Sequence, residues 1–387
     1  MRFEFATATR IIFGPGGISE AVGAATGFGK CALIVTGRSS ERATPLIDQL
    51  GGRNIASATF AITGEPTVSV INDGVTCARS GKCDIIIGFG GGSVIDAGKA
   101  IAALLANGGD VLDYLEVVGR GKTLERPSIP FIAIPTTAGT GAEVTRNAVI
   151  TVPDHGIKVS LRSPLMLPRL AVIDPHLTCT LPADVTASTG LDALTQCIEA
   201  YVCVTANALT DGFAREGMTR AARSLRIACA DGADAAARED MALASLMSGL
   251  ALANAGLGAV HGFAAVIGGK CGAPHGAVCA LLLPHVMEVT IRALRERGNN
   301  PDALQRYAVV AGLLTGNPSA SAGEGVAWIA SLSAGLPLPP PSSIGLQRQA
   351  FTETAASARK ASSMKGNPIE LTDEELQKIL ERAFTGG

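Results

Sequence analysis

Apolar positions in the first 180 or so residues come in short, unbroken runs. Cys31-Ala-Leu-Ile-Val-Thr-Gly37, Asp84-Ile-Ile-Ile-Gly-Phe-Gly90, Pro130-Phe-Ile-Ala-Ile-Pro135 and Leu170-Ala-Val-Ile-Asp174 each read as a strand buried on both faces. Helix-spaced stretches such as residues 94–106 lie between them, and this alternation predicts a parallel sheet covered by helices on both sides. Residues 2–13, closed by Gly14-Pro-Gly-Gly17, predict a hairpin or an edge strand.

Beyond Pro182 the period changes. Segments 183–204, 209–230, 235–255, 301–314 and 372–383 are rich in Ala, Leu, Glu and Arg at helical spacing, and Thr372-Asp-Glu-Glu375 is a capping box for the last of them. An α/β domain over 1–181 and an all-α domain over 182–387 are therefore expected, which suits a chain of 387 residues. Residues 241–269 carry no charge, and ~20 apolar residues suffice to span a bilayer. Ala, Gly and Ser dominate that run, with Asn254 and His261 inside it, so it reads as a buried core helix or helix pair.

Composition narrows the function classes. The apolar fraction is 47% and the charged fraction only 17%, which favours large buried cores. A net charge of −2 without a basic run, and 4% aromatics, argue against nucleic acid or an anionic membrane as partner. The nine cysteines are scattered, odd in number and contain no Cys-x-x-Cys, so neither a zinc cluster nor a disulfide framework is expected. With no apolar core of a secretion signal near Met1, a reducing cytoplasm is the expected location.

The candidate chemistry starts from two of the five histidines. His261 and His275 lie between Met241 and Met287, where Lys270 is the single formal charge. A polar group in such surroundings needs a hydrogen bond or a metal. Either histidine alone would read as a satisfied core residue. Together with Asp192, from Gly190-Leu-Asp-Ala-Leu-Thr-Gln196, they make a carboxylate and two imidazoles suited to one divalent cation.

Two loops suggest a phosphate-bearing ligand. The strand 84–89 runs into Gly90-Gly-Gly-Ser93, and Val-Ile-Asp96-Ala-Gly-Lys99 then opens a helix. Backbone N–H groups there can approach a phosphate at a helix N-terminus. Ser93-x-x-Asp96 also fits a capping box, which leaves a plain helix start open. The sequence is not the G-x-G-x-x-G fingerprint following a first strand. A second loop, Ile134-Pro-Thr-Thr-Ala-Gly-Thr-Gly-Ala-Glu143, follows another strand, and the pair suits a dinucleotide. Metal set and loops together read as a metal-assisted dehydrogenase.

These motifs, with Pro135-Thr-Thr-Ala-Gly-Thr-Gly-Ala-Glu-Val-Thr145, Val260-His261, Pro274-His-Gly276, Leu283-Pro-His-Val-Met287 and Gly366-Asn-Pro368, resemble the iron-containing (group III) alcohol dehydrogenase family over essentially the whole chain. The resemblance implies a dehydroquinate synthase-like fold: a parallel-sheet NAD(P)-binding α/β domain, an all-α metal- and substrate-binding domain, and a cleft between them. It implies NAD(P)-dependent interconversion of a small alcohol and its aldehyde or ketone, in a homodimer or higher homo-oligomer. Carried over, the metal ligands are Asp192, Gln196, His261 and His275, with Asp192, His261 and His275 the catalytic set. Two positions depart from the family pattern. Gln196 stands where most members have His, and Ala265 where many have a further His. An amide oxygen is a poor ligand beside imidazoles, so the choice of Fe2+ or Zn2+, and its occupancy, stay open. Three protein ligands plus water would match a catalytic zinc site.

For the cofactor, the expectation that follows places Gly91, Gly92 and Ser93 at the pyrophosphate, Thr136 and Thr137 on the adenosine and ribose side, Lys158 at the ribose, and Asp96 at a ribose hydroxyl unless it only caps its helix. NAD-preferring members carry Asp at the position of Gly37. Glycine there, followed by Arg38 and Ser39, leaves room for a 2′-phosphate, so the expectation leans to NADP over NAD. Two alternatives remain: a metal-independent NAD(P)H reductase resembling maleylacetate reductase, and a nucleotide-binding pseudoenzyme.

Overall fold

A computed structural model of the chain describes residues 2–298 and 300–385. The chain falls into two compact units, one holding Phe5–Thr137 and Gly141–Thr178, the other holding Met1–Glu4, Ala138–Thr140 and Cys179–Gly387. Met1, Asn299, Gly386 and Gly387, which include both outer ends of the expected domains, lie outside the described residues.

The first unit is built on β1 (Ile11–Phe13), β2 (Cys31–Thr36), β3 (Ala56–Ala61), β4 (Ile85–Gly90), β5 (Phe131–Pro135) and β8 (Leu170–Ile173). Their order is β1-β8-β5-β4-β2-β3, and every neighbouring pair is parallel. Strands β6 (Asn147–Val152) and β7 (Ile157–Arg162) form a separate antiparallel hairpin. The N-terminal stretch thus supplies an edge strand and no hairpin. The buried runs alternate by residue as a pleated strand must. Ile34, Ile85, Ile87, Ile132 and Ile134 pack with Ala21, Val22, Leu46 and Leu50 of α1 (Gly17–Ala25) and α2 (Thr44–Gly51). Leu33, Val35, Ile86, Phe131 and Ala133 pack with Ile71, Val75, Ile95 and Ile101 of α3 (Val68–Ser80) and α4 (Gly92–Asn107). A short α5 (Val111–Tyr114) follows.

The helix after β4 departs from the expected cap. It begins at Gly92 with Gly91 as N-cap, and no side chain caps it. Asp96 instead pairs with Lys99 Nζ at 2.9 Å and accepts the N–H of Val149 at 2.9 Å, bracing α4 against β6. Lys99 is fully buried and donates to the Ala142 carbonyl and Thr145 Oγ1, each at 2.9 Å, and to the Asn147 carbonyl.

The second unit is helical: α6 (Ala183–Val202), α7 (Ala208–Ala230), α8 (Ala235–Ala255), α9 (Ala259–Cys271), α10 (His275–Arg297), α11 (Pro301–Thr315), α12 (Ala322–Ala334), α13 (Phe351–Arg359) and α14 (Asp373–Thr385). The uncharged run resolves into a helix pair, α8 and α9, bent by 100°. Helix α10 is long and apolar enough to cross a membrane, and most of it is buried against the other helices. The capping box is reciprocal, with Thr372 N–H donating to Glu375 Oε2 at 2.8 Å and Glu375 N–H to Thr372 Oγ1 at 3.2 Å.

One buried acid gives a pH signature. Burial pushes the Glu143 carboxyl up to about 7, although its own backbone N–H and nearby Lys99 pull it down. A folded value above the ordinary 4.5 favours the protonated acid. That stabilisation is present in full below the ordinary value and is lost as pH rises through about 7. The Glu143→Gln variant should lack this loss, so its melting temperature should gain on wild type between about pH 5 and 8. Parallel melting curves across that range would reject the assignment.

Candidate metal centre and nucleotide loops

Helix α6 presents Asp192, Gln196 and Glu199 along one side, at spacings of four and three residues. All three are buried. Glu199 meets the start of α9: Oε1 accepts the Val260 N–H at 2.6 Å, and Oε2 lies 3.4 Å from the His261 amide nitrogen. A carboxylate at that helix N-terminus is favoured by the helix dipole. The same Oε2 lies 2.6 Å from His261 Nδ1. A carboxylate can only accept here, so Nδ1 carries the proton and Nε2 is the ring nitrogen left to ligate once its own proton is displaced. Nε2 faces Asp192 Oδ1 at 3.3 Å.

Helix α10 begins at His275, with Pro274 as its N-cap. A Cβ on the next residue, Gly276, would strike the Ser188 carbonyl of α6, so only glycine lets the two helices approach this closely. The approach sets His275 Nε2 3.8 Å from Asp192 Oδ1. The two imidazole rings stand 5.3 Å apart between centroids. One turn further along α10, Cys279 Sγ lies 3.7 Å from His275 Nε2 and 4.0 Å from His261 Nε2.

Burial alone would raise the Asp192 carboxyl, but His275 and His261 beside it hold it below the usual carboxylate range. Burial opposes a charge on His261, yet Cys279, Asp192 and Glu199 raise it well above a free imidazole. Asp192 Oδ1 has no hydrogen-bond partner among the described residues, although it is buried. Unpaired buried oxygens are rare and mark a missing ligand or strain. Donor atoms of Asp192, His261, His275 and Cys279 all lie within 4.8 Å of one another. An oxygen, two nitrogens and a sulfur around an unpaired carboxylate fit a divalent cation.

Gln196 occupies the same helix side, but its Oε1 accepts from Ser248 Oγ of α8 at 2.7 Å. Ala265 lies one turn beyond His261 on α9 and is half-buried. Sequence reasoning missed two residues here. Glu199 was signalled by standing two helical turns after Asp192, and Cys279 by standing four residues after His275.

In the first unit the registers Thr36↔Phe89 and Gly90↔Pro135 align the carboxyl ends of β2, β4 and β5. Beyond those ends lie Gly37 and exposed Ser39, then Gly91, Gly92 and Ser93, then Thr136 and Thr137. A Cβ on Gly91 would come within 3.3 Å of the Thr137 side chain, so the two loops touch where the backbone is barest. The strand order reverses between β2 and β4, and open α/β sheets take ligands outside the carboxyl ends at such a switch point. Two expected contacts are engaged elsewhere: Lys158 pairs with Glu65 at 2.5 Å, and Asp96 holds Lys99 and Val149.

A parallel dinucleotide-type sheet joined to a helical unit with a carboxylate–imidazole cluster defines an oxidoreductase class, and the comparisons give its family. Residues 8–175 match "Iron-containing alcohol dehydrogenase", and residues 186–384 match the C-terminal domain described as "Fe-containing alcohol dehydrogenase family, C-terminal". The chain belongs to the iron-containing alcohol dehydrogenase family. It is 35% identical over 393 residues to the 1,3-propanediol dehydrogenase of Klebsiella pneumoniae, covering 99% of each chain. It is 35% identical to alcohol dehydrogenase 4 of Saccharomyces cerevisiae, over 82% of this chain and 81% of that protein. Among solved structures, a 1,3-propanediol oxidoreductase superposes with a TM-score of 0.91 at 34% identity, over 99% of this chain and 100% of that one. A sulfoacetaldehyde reductase from Bifidobacterium kashiwanohense, solved with NAD+, gives a TM-score of 0.87 at 27% identity, over 100% of both chains.

The Glu199–His261 bond has a measurable consequence. Glu199→Gln removes the charge that fixes the imidazole, and loss of such an outer partner costs roughly 10–100-fold in metal affinity. Titration against a competing chelator should show that fall; an unchanged affinity would mean that Glu199 only caps α9.

Proposed function

We propose that this alcohol dehydrogenase is NAD(P)-dependent and metal-assisted, interconverting a small alcohol and its aldehyde or ketone. The observation that carries the reading is the buried Asp192 oxygen without a hydrogen-bond partner, facing the Nε2 atoms of His261 and His275. A divalent ion held by those residues would act as a Lewis acid on the substrate oxygen, which is the chemistry an alkoxide-forming step needs at neutral pH. Asp192, His261 and His275 hold and orient that centre, and Glu199 keeps His261 in the ligating tautomer. Asp192 itself is buried, so its charge is poorly screened by solvent.

In the same reading Gly91, Gly92 and Ser93 bind the pyrophosphate at the uncapped start of α4, with Thr136 and Thr137 beside it. A nicotinamide bound there would supply the hydride acceptor for alcohol oxidation, with the hydroxyl proton released to solvent, and the hydride donor for carbonyl reduction. Gly37, with exposed Arg38 and Ser39 after β2, favours NADP over NAD.

Metal analysis of protein purified without chelator is expected to find near one atom of iron, zinc or manganese per chain. His275→Ala should lose turnover while still binding the nucleotide, measured by fluorescence titration; retained activity would rule out its role. Gly37→Asp places a like charge against a 2′-phosphate, which costs several kcal/mol. The kcat/KM for NADPH should fall by more than about tenfold, since ~1.4 kcal/mol already gives that factor. An unchanged NADPH preference would place the 2′-phosphate elsewhere.

A further inference from the structure

We propose that Cys279 is the fourth protein ligand of the metal centre, in place of Gln196. The proposal rests on the metal-assisted reading above and names a member of that site. An ion about 2.0–2.1 Å from N and O and about 2.3 Å from S, in a tetrahedral array, holds its donors roughly 3.3–3.6 Å apart. The distances here are 3.3 Å and 3.8 Å from Asp192 Oδ1 to Nε2 of His261 and of His275, and 4.0 Å and 3.7 Å from Cys279 Sγ to the same two atoms in that order. A closure of a few tenths of an ångström reaches that array. Gln196 offers only a neutral amide oxygen, and that oxygen is turned to Ser248.

The helix explains why a cysteine can serve. His275 and Cys279 are i and i+4 on α10, so both side chains reach the same point beside Asp192. Cys279 is fully buried, and its sulfur lies within 4.8 Å of a carboxylate oxygen of Asp192, whose Oδ1 has no hydrogen-bond partner among the described residues. Ligation exchanges the S–H bond for a sulfur–metal bond, and the proton leaves to solvent without any change of oxidation state. A thiolate is softer than the histidine it stands in for, which moves the site toward zinc or cobalt relative to iron(II). Zinc can expand to five ligands, so a fourth protein donor leaves the substrate a position.

The test uses the full chain, stripped of metal and titrated with cobalt(II) alone. Wild type is expected to bind one ion per chain and to show the intense near-ultraviolet absorption of thiolate-to-cobalt charge transfer. That absorption should vanish in Cys279→Ser, persist in Gln196→Ala, and vanish in Asp192→Asn, which separates it from cobalt held by the Cys31 and Cys83 thiols of the α/β unit, 3.5 Å apart. The affinity of Cys279→Ser should fall at least tenfold, since losing a mere outer partner already costs roughly 10–100-fold. X-ray absorption of the zinc form should show a sulfur at about 2.3 Å. One ion bound without the sulfur signal, or a signal that survives Cys279→Ser, overturns the Cys279 assignment and leaves the metal centre standing. No cobalt bound at all overturns both.

Discussion

A carboxylate sealed among helices has to be compensated, and the arrangement of α6, α9 and α10 follows from that need at Asp192. Removing such a charge from water costs several kcal/mol even after relaxation. The helical core of this unit is built mainly from apolar side chains, which offer a carboxylate no hydrogen bond in return. Compensation comes from two imidazoles delivered by two different helices, each fixed by a separate device. Glu199 pins His261 through Nδ1 while capping α9, and Gly276 lets α10 close onto α6 so that His275 arrives. Even so, one Asp192 oxygen has no hydrogen bond among the described residues, so the protein groups alone do not complete the site.

The α/β unit solves a different problem with equally local means. Its strands are buried on both faces, so their residues alternate between two helical layers and carry no chemistry themselves. In the proposed reading the chemistry falls to the loops at the carboxyl ends, where β2, β4 and β5 finish side by side. Asp96, which a motif reading assigns to the ligand or to a cap, instead joins Lys99 in tying α4 to β6 and the segment before it. That bracing holds the second Gly/Thr loop against the first. A buried lysine is a costly brace, and it fits here because three oxygens and a carboxylate surround it.

How much was legible in the sequence depends on how strongly each residue breaks its local background. The strands β2, β4, β5 and β8 stood out as uninterrupted apolar runs, and they are strands. Strand β3, Ala-Ser-Ala-Thr-Phe-Ala, is an exposed edge with no such run, so nothing marked it. The hairpin β6–β7 mixes polar and apolar positions and was passed over for the same reason. His261 and His275 were conspicuous because their stretch holds a single charge. Glu199 was hidden by an ordinary helical context, Ile-Glu-Ala-Tyr, where acids usually face solvent. Cys279 was hidden by being one of nine scattered thiols, since counting cysteines asks about pairs and ignores a histidine one turn away. Ser93-x-x-Asp96 misled because its spacing satisfies the cap rule, while Gly91 starts the helix two residues earlier.

The identity of the metal is less constrained than the family's description suggests. In the proposed reaction the electrons travel as a hydride between carbon and nicotinamide, so the ion need not change oxidation state. What the site must supply is a positive charge at a fixed point beside the substrate oxygen, in a poorly screened environment. In the proposed reading Asp192, His261 and His275 would fix that point, since each is held by a helix and two of them by further contacts. The fourth donor is therefore free to differ, provided it sits on a face that already points inward. A side chain one turn beyond His275 on α10 meets that condition as well as one a turn beyond Asp192 on α6. Exchanging one for the other alters which ion is held most tightly and leaves the position of the charge where the hydride chemistry needs it.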